Sequence, residues 1–253
     1  MSAGHSVEEQ AALGADQVAA YHDRGYIAVE NVLTTAEVAE LRAVTEEFVE
    51  RSRQVTTHTE VFDLEPGHSP ERPRLRRLKA PHHQHDVYDR VLRHRRILDI
   101  VAELIGARIR YRTTKRLMVV PGSHHGPVLD HHQDGYFAGA VTAPDGLLER
   151  AVPIELHAGG ISVHHARLLH GSAPNTSTRP RRFLLAEYAA ADAWPLVGSG
   201  DWDEFNSRLL RGDPVLEPRL EPVPVRIPLP THARQGSIYE VQSVVRSRAF
   251  HPG

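Results

Sequence analysis

Residues 160–190 read GISVHHARLLHGSAPNTSTRPRRFLLAEYAA and contain two strand-like runs separated by a turn. Apolar and polar residues alternate in Gly160–His170 and again in Arg182–Ala190, which is the pattern of a strand with one buried face. Between the two runs, small polar residues and prolines favour a turn. This part of the chain therefore predicts β-structure.

The remaining sequence predicts helices in the first half of the chain and further strands in the second half. Helices are expected at about Asp16–Asp23, from the capping box of Thr34 and Glu37 to about Arg51, at Val87–Ile105 and at Trp202–Leu210, and further strands at Tyr26–Leu33, Arg108–Thr114 and Leu117–Val120. Residues 52–84 contain four prolines and are expected to be irregular. Helices followed by strands predict an α+β fold in one domain, 1–253, with a helical region to about residue 106 and an extended, proline-rich tail from about 212 to 253.

The composition excludes several classes of protein. The 253 residues contain no cysteine, so the chain has no disulfide framework and no thiolate metal site. The formal net charge of −2 gives no overall attraction to nucleic acid or to an anionic membrane, and no apolar run approaches the roughly 20 residues that cross a bilayer. The first ten residues have neither a basic leader nor an apolar stretch, so we expect a soluble, cytoplasmic protein.

Histidine is unusually abundant, with 18 residues, and two histidines with one aspartate predict a metal site. His132 and Asp134, in DHHQDGY, stand two residues apart, so on a strand both side chains leave the same face and can bind one metal ion. His170 ends a strand-like run and supplies a third ligand. Two histidines and one carboxylate suit Fe(II), although zinc accepts similar ligands. The alternative is that these histidines are surface or structural residues, because so many histidines produce chance motifs.

Arg181 follows His170 by 11 residues and lies where the turn leads back into the second strand-like run. A guanidinium there can hold a carboxylate through two hydrogen bonds, as an oxo-acid bound to the metal requires, and the Ser172 hydroxyl can join it. The alternative is that Arg181 only solvates a strand end. His124 and His125 follow the PGSH turn and are expected in a solvated loop; the alternative is that they approach a metal.

A resemblance to the phytanoyl-CoA dioxygenase family of Fe(II)/2-oxoglutarate oxygenases is carried by VVPGSHHGPV (119–128) and HHARLLHGSAPNTSTRPRRFLLAEYAAADAWPL (164–196). The resemblance implies a double-stranded β-helix, or jelly roll, with N-terminal helices packed outside. It also implies an enzyme that uses Fe(II), 2-oxoglutarate and O2 to hydroxylate a small organic molecule. His170 is then the distal iron ligand, and Arg181 with Ser172 holds the far carboxylate of 2-oxoglutarate.

The sequence departs from the family pattern at one place. In the family an HxD pair precedes the PGSH turn, whereas here residues 114–116 run almost directly into the turn, and His132 and Asp134 follow it. The segment that normally carries the pair is therefore expected to be missing between Arg116 and Leu117, which leaves the sheet incomplete and exposes an edge for a homo-oligomer. Either His132 and Asp134 replace the missing ligands, or the chain is a catalytically impaired or noncatalytic relative with an incomplete iron site.

Overall fold

The computed structural model describes residues 12–112, 118–142, 146–172, 175, 177, 180–196, 198, 200–222, 230–233 and 241–245. The helices in these residues are α1 (Ala15–Arg24), α2 (Thr35–Ser52), α3 (Pro81–Gln84), α4 (Asp86–Leu92), α5 (Arg95–Ile105) and α6 (Trp202–Ser207), with 3-10 turns at Ser123–His125 and Leu148–Arg150. The strands are β1 (Tyr26–Val29), β2 (Phe62–Leu64), β3 (Leu75–Leu78), β4 (Ile109–Tyr111), β5 (Met118–Val119), β6 (His132–Gln133), β7 (Tyr136–Phe137), β8 (Ile161–His164), β9 (His170–Gly171), β10 (Tyr188–Ala190) and β11 (Leu209–Arg211). The predicted break between Arg116 and Leu117 lies outside the described residues.

The first two helices follow the predicted caps closely. Gly25 ends α1 in the left-handed conformation, with φ at 82°, and its N–H donates to the carbonyl of Tyr21. At the start of α2, the Thr34 hydroxyl accepts a hydrogen bond from the Glu37 N–H, and the Glu37 carboxylate accepts one from the Thr34 N–H. The predicted capping box is therefore confirmed.

The single helix predicted over Val87–Ile105 is wrong, because α4 and α5 divide this stretch. The backbone leaves the helical conformation at His94, where ψ is 123°. The two helices bury most of their apolar side chains in different clusters, although Val91 of α4 packs against the cluster of α5. Val87 and Tyr88 of α4 pack with α2, whereas Ile100 of α5 packs with α1 and β1. The chain breaks between the helices so that each apolar face reaches its own cluster.

The irregular structure predicted for residues 52–84 is wrong in part, because β2 and β3 form an antiparallel hairpin in this stretch. The hairpin pairs Phe62 with Leu78 and Leu64 with Leu75. Its apolar side chains pack against α2 and α4. Three prolines lie in the connection between the strands, and their density conceals the two short strands that flank them.

The strands of the described residues pair antiparallel in five small sheets: β1–β8, β10–β4–β11, β2–β3, β5–β9 and β6–β7. The strands that the sequence predicts are shorter than their predicted runs; within Gly160–His170, for example, β8 covers only Ile161–His164, and β9 begins at His170. The helix predicted to reach Leu210 ends at Ser207, because Leu209 and Arg211 pair with the edge of β4.

The larger apolar cluster joins α1, β1, α5 and β4 around Ile100 and Ile109, which are fully buried. The chain thus combines helices with small sheets, in agreement with the predicted α+β class. Among the described residues, no helix combines the length and the apolar character that crossing a membrane requires.

Candidate functional site

His170 lies at the start of β9, which pairs with β5 so that His170 faces Val119 in the register. The His170 Nδ1–H donates to the carbonyl of Leu168 at 2.8 Å. In the neutral imidazole, Nε2 therefore carries the lone pair, and the side chain is exposed. Histidines that bind metals are commonly held in this way, with the other ring nitrogen bonded to a backbone carbonyl. His170 thus has the form of a metal ligand.

His164, at the end of β8, lies near His170 and is held neutral. Its Nε2 is hydrogen-bonded to the Ser162 hydroxyl at 2.8 Å, and its ring stacks on Tyr26 of the paired strand. Burial lowers the pKa of His164 to about 4, and the nearby His170 adds to this shift. At neutral pH, His164 therefore places no positive charge beside His170.

The prediction that His132 and Asp134 leave one face of a strand is wrong. β6 ends at Gln133, and Asp134 and Gly135 form the two-residue turn of the β6–β7 hairpin, with φ values of 52° and 85°. Asp-Gly is a preferred sequence for such turns because both central residues need positive φ. Two-residue periodicity applies only within a strand, so it does not relate the side chains of His132 and Asp134.

Asp130, rather than Asp134, orients His132. One Asp130 carboxylate oxygen accepts from the His132 Nδ1–H at 2.7 Å and from the His132 backbone N–H at 3.1 Å. The His132 side chain is 17% exposed, and its ring meets Phe137 of β7 edge-on. Nε2 is therefore the ring nitrogen of His132 that remains for another partner.

The structure does not bring His132, Asp134 and His170 together as a metal site. Among the described residues, which include all three, no group of three or more histidine, aspartate or glutamate side chains is arranged to hold a metal ion. The described part of the chain therefore offers His170 in the form of a ligand but does not complete a three-donor iron site.

Ser172 and Arg181 both lie in the connection from β9 to β10. Ser172 directly follows β9 and is half-buried, whereas Arg181 is exposed and its guanidinium lies 5.7 Å from the centre of the Phe183 ring. The strand predicted over Arg182–Ala190 is wrong over most of its length, because only Tyr188–Ala190 pairs with another strand. The Arg182 side chain instead forms an ion pair with Glu46 of α2.

The solvated loop predicted for His124 and His125 is wrong for His124, which is 7% exposed. The His124 Nε2–H donates to the carbonyl of His22 at 2.9 Å, and the His125 Nε2–H donates to that of Asp23 at 3.2 Å. Both carbonyls belong to the last turn of α1, where helix carbonyls lack partners within the helix. Sequence reasoning misses this contact because 102 positions separate each donor from its acceptor.

A model of the phytanoyl-CoA dioxygenase family matches residues 21–138 and, separately, residues 116–183. The second match begins at Arg116, the residue at which the sequence predicts a break in the family pattern. The "probable alpha-ketoglutarate-dependent hypophosphite dioxygenase" of Stutzerimonas stutzeri is 28% identical over 285 positions, which cover 93% of this chain and 99% of that protein. Since 93% of 253 residues is about 235, about 50 of the 285 positions have no residue in this chain.

Two solved structures have a similar fold. The epimerase SnoN, in complex with Fe3+, alpha ketoglutarate and nogalamycin RO, has a TM-score of 0.53 at 22% identity, over 83% of this chain and 94% of that chain. EctD from S. alaskensis with bound Fe has a TM-score of 0.52 at 19% identity, over 72% of this chain and 79% of that chain. At these identities the similarity concerns the fold alone.

Proposed function

This chain belongs to the phytanoyl-CoA dioxygenase family, and we propose that it is an Fe(II)- and 2-oxoglutarate-dependent dioxygenase that oxidises a small molecule with O2. The observation that carries the proposal is the family match, which extends through the PGSH turn and the HGS strand to residue 183 and so includes His170 and Arg181. When bound, Fe(II) and 2-oxoglutarate supply the oxidation chemistry, and the protein supplies binding, orientation and exclusion of water.

In this proposal His170 binds iron through Nε2, and the Leu168 carbonyl keeps the proton on Nδ1. Arg181 holds the far carboxylate of 2-oxoglutarate through two charge-assisted hydrogen bonds, and the Ser172 hydroxyl adds a third. Arg181 is exposed and lies outside the strands of the described residues, so in this proposal its side chain is accessible to a bound oxo-acid.

His132 and Asp134 are the proposed replacements for the missing ligands. Since they do not converge with His170 in the structure, their recruitment requires the β6–β7 hairpin to move when iron binds. The same observation favours a second candidate function, that of a catalytically impaired or noncatalytic relative that retains His170 and Arg181 without a complete iron site.

We further propose that the small sheets belong to an incomplete jelly roll whose open edges pair with a second copy of the chain. In the described residues the two-stranded sheet β1–β8 has no further strand bonded at either edge, whereas in β5–β9 the outer edge of β5 is bridged by Val152 and no further strand is bonded to β9. Light scattering at increasing protein concentration tests this proposal, and a monomer at all concentrations contradicts it.

The function is tested by titrating the full chain with Fe(II) and 2-oxoglutarate under argon and recording the visible metal-to-ligand charge-transfer band. We expect a band that saturates, and succinate release on addition of O2 with a suitable small molecule; the panel includes hypophosphite and small organic acids. No band at millimolar 2-oxoglutarate contradicts the dioxygenase proposal. A band without O2-dependent succinate release across the panel favours the impaired relative.

Arg181→Ala is expected to weaken 2-oxoglutarate binding about 10- to 100-fold while leaving Fe(II) binding in the absence of 2-oxoglutarate unchanged. The variant loses a charge-assisted pair of hydrogen bonds, each worth about 1.5 to 3 kcal/mol when well formed, and exposure of the arginine reduces this value. The charge-transfer titration measures the constant. Arg182→Ala is the matched control, since Arg182 pairs with Glu46 of α2. If Arg181→Ala and the parent protein have equal dissociation constants for 2-oxoglutarate, Arg181 is not part of the site.

A further inference from the structure

The PGSHH turn, residues 121–125, and Val120 directly before it bind both backbone polar groups of Leu169, the residue that precedes His170. The Leu169 N–H donates to the Ser123 hydroxyl oxygen at 2.9 Å, and the Leu169 carbonyl accepts from the Val120 N–H at 2.9 Å. The first of these bonds comes from a side chain, so it depends on the identity of residue 123. The position of the backbone next to His170 is therefore set by this turn.

The turn is itself anchored to the C-terminal end of α1. Besides the bonds from His124 and His125, the Gly122 N–H donates to the carbonyl of Arg24 at 2.8 Å. Three successive carbonyls of the helix, those of His22, Asp23 and Arg24, thus accept from three residues of one turn. Because these carbonyls have no partners within the helix, the turn has a defined position relative to α1.

His124 of the turn also lies close to Leu168, whose carbonyl fixes the His170 ring. A Cβ atom on Gly25 would lie 2.5 Å from Nδ1 of His124 and 2.7 Å from Cδ1 of Leu168, so these two side chains meet over a position without a side chain. Leu168 is 1% exposed, and its carbonyl accepts the Nδ1–H of His170. Contacts therefore connect α1 through the turn to Leu168 and Leu169, and the Leu168 carbonyl fixes the tautomer of His170.

We propose that Ser123 is a positioning residue for His170. The proposal rests on the proposed function, in which His170 binds iron through Nε2. Loss of the Ser123 hydroxyl leaves the partly buried Leu169 N–H without its acceptor, and an unpaired amide of this kind moves to find another partner. The movement displaces the Leu168 carbonyl from His170, so that the ring no longer has a fixed tautomer or orientation.

The test compares Ser123→Ala and Ser123→Thr in the full chain with the parent protein. One readout is the pair of imidazole 15N chemical shifts of His170 in the metal-free protein, which report the tautomer; the other is the Fe(II) dissociation constant from the charge-transfer titration. In Ser123→Ala we expect a mixture of tautomers and about tenfold weaker iron binding, as is typical when a group that orients a metal ligand is removed. In Ser123→Thr, which keeps a hydroxyl, we expect both properties to return toward the parent values.

Ser69→Ala is the matched control, because Ser69 accepts a hydrogen bond from the Arg72 N–H at 3.1 Å in an exposed loop of the β2–β3 connection. We expect no change of either readout in this variant. The proposal is overturned if Ser123→Ala keeps the parental tautomer and the parental Fe(II) dissociation constant. It is also overturned if Ser123→Thr changes the tautomer and weakens Fe(II) binding as much as Ser123→Ala does. If the parent protein forms no iron and 2-oxoglutarate complex, the dioxygenase proposal fails, whereas the chemical shifts still decide whether Ser123 positions His170.

Discussion

His170→Ala is expected to abolish detectable Fe(II) binding and all 2-oxoglutarate turnover. The Leu168 carbonyl fixes its imidazole as the Nδ1–H tautomer, which leaves the lone pair of Nε2 to coordinate iron. Fe(II) binds nitrogen and oxygen ligands weakly among divalent metals, so loss of one protein ligand leaves too few to retain it. We expect the Fe(II) dissociation constant to rise by at least about 100-fold, which an anaerobic titration measures.

His157→Ala is the control, because the His157 side chain is 93% exposed and its hydrogen-bond partner is Glu30, which is not part of the proposed site. The comparison with His132→Ala separates the two candidate functions. If His170→Ala and His132→Ala lose Fe(II) affinity equally, the result supports recruitment of the β6–β7 hairpin to the iron. Parental iron affinity in His132→Ala refutes recruitment, and parental affinity in His170→Ala refutes the assignment of His170 itself.

Gly25→Ala is expected to reduce the free energy of unfolding by about 2 to 5 kcal/mol. A φ of 82° costs an L-residue about 1 to 2 kcal/mol, and the new Cβ would lie 2.5 Å from the His124 ring and 2.7 Å from Leu168. Displacement of these buried side chains adds about 1 to 3 kcal/mol of strain. Chemical denaturation measures the change as a shift of the transition midpoint.

Gly198→Ala provides a matched control for the backbone alone. Gly198 also has a φ of 82°, but a Cβ there meets no atom of the described part of the chain within 4 Å. We expect this variant to lose only about 1 to 2 kcal/mol. If both variants lose the same free energy of unfolding, the close approach of His124 and Leu168 to Gly25 adds no steric cost to the substitution.

Local signals in the sequence account for the parts of the fold that are predicted well. The capping box of Thr34 and Glu37 and the left-handed Gly25 both act within one helical turn, so no distant residue is needed to place them. The break between α4 and α5 could not be predicted in the same way. Periodicity continues across His94, and only the existence of two separate apolar clusters requires the chain to turn there.

The candidate site was predictable to different degrees for different residues. The HGS motif correctly places His170 on a strand, although β9 contains only two residues. The HxD pattern is misleading because the Asp134-Gly135 dipeptide is at once part of a metal motif and a preferred hairpin turn. The partner of His132, Asp130, lies two residues in the other direction, and periodicity alone does not distinguish the two carboxylates.

The hydrogen bonds at the end of α1 also influence when the protein can complete its first helix during synthesis. The carbonyls of His22, Asp23, Arg24 and Gly25 receive their donors from residues 122–125 and from the N–H of His165. During synthesis, α1 therefore leaves the ribosome long before the residues that bond its last carbonyls. Contacts between residues so distant in sequence slow folding. Until residue 165 has left the exit tunnel, these carbonyls lack part of their native set of donors, and water takes the open places.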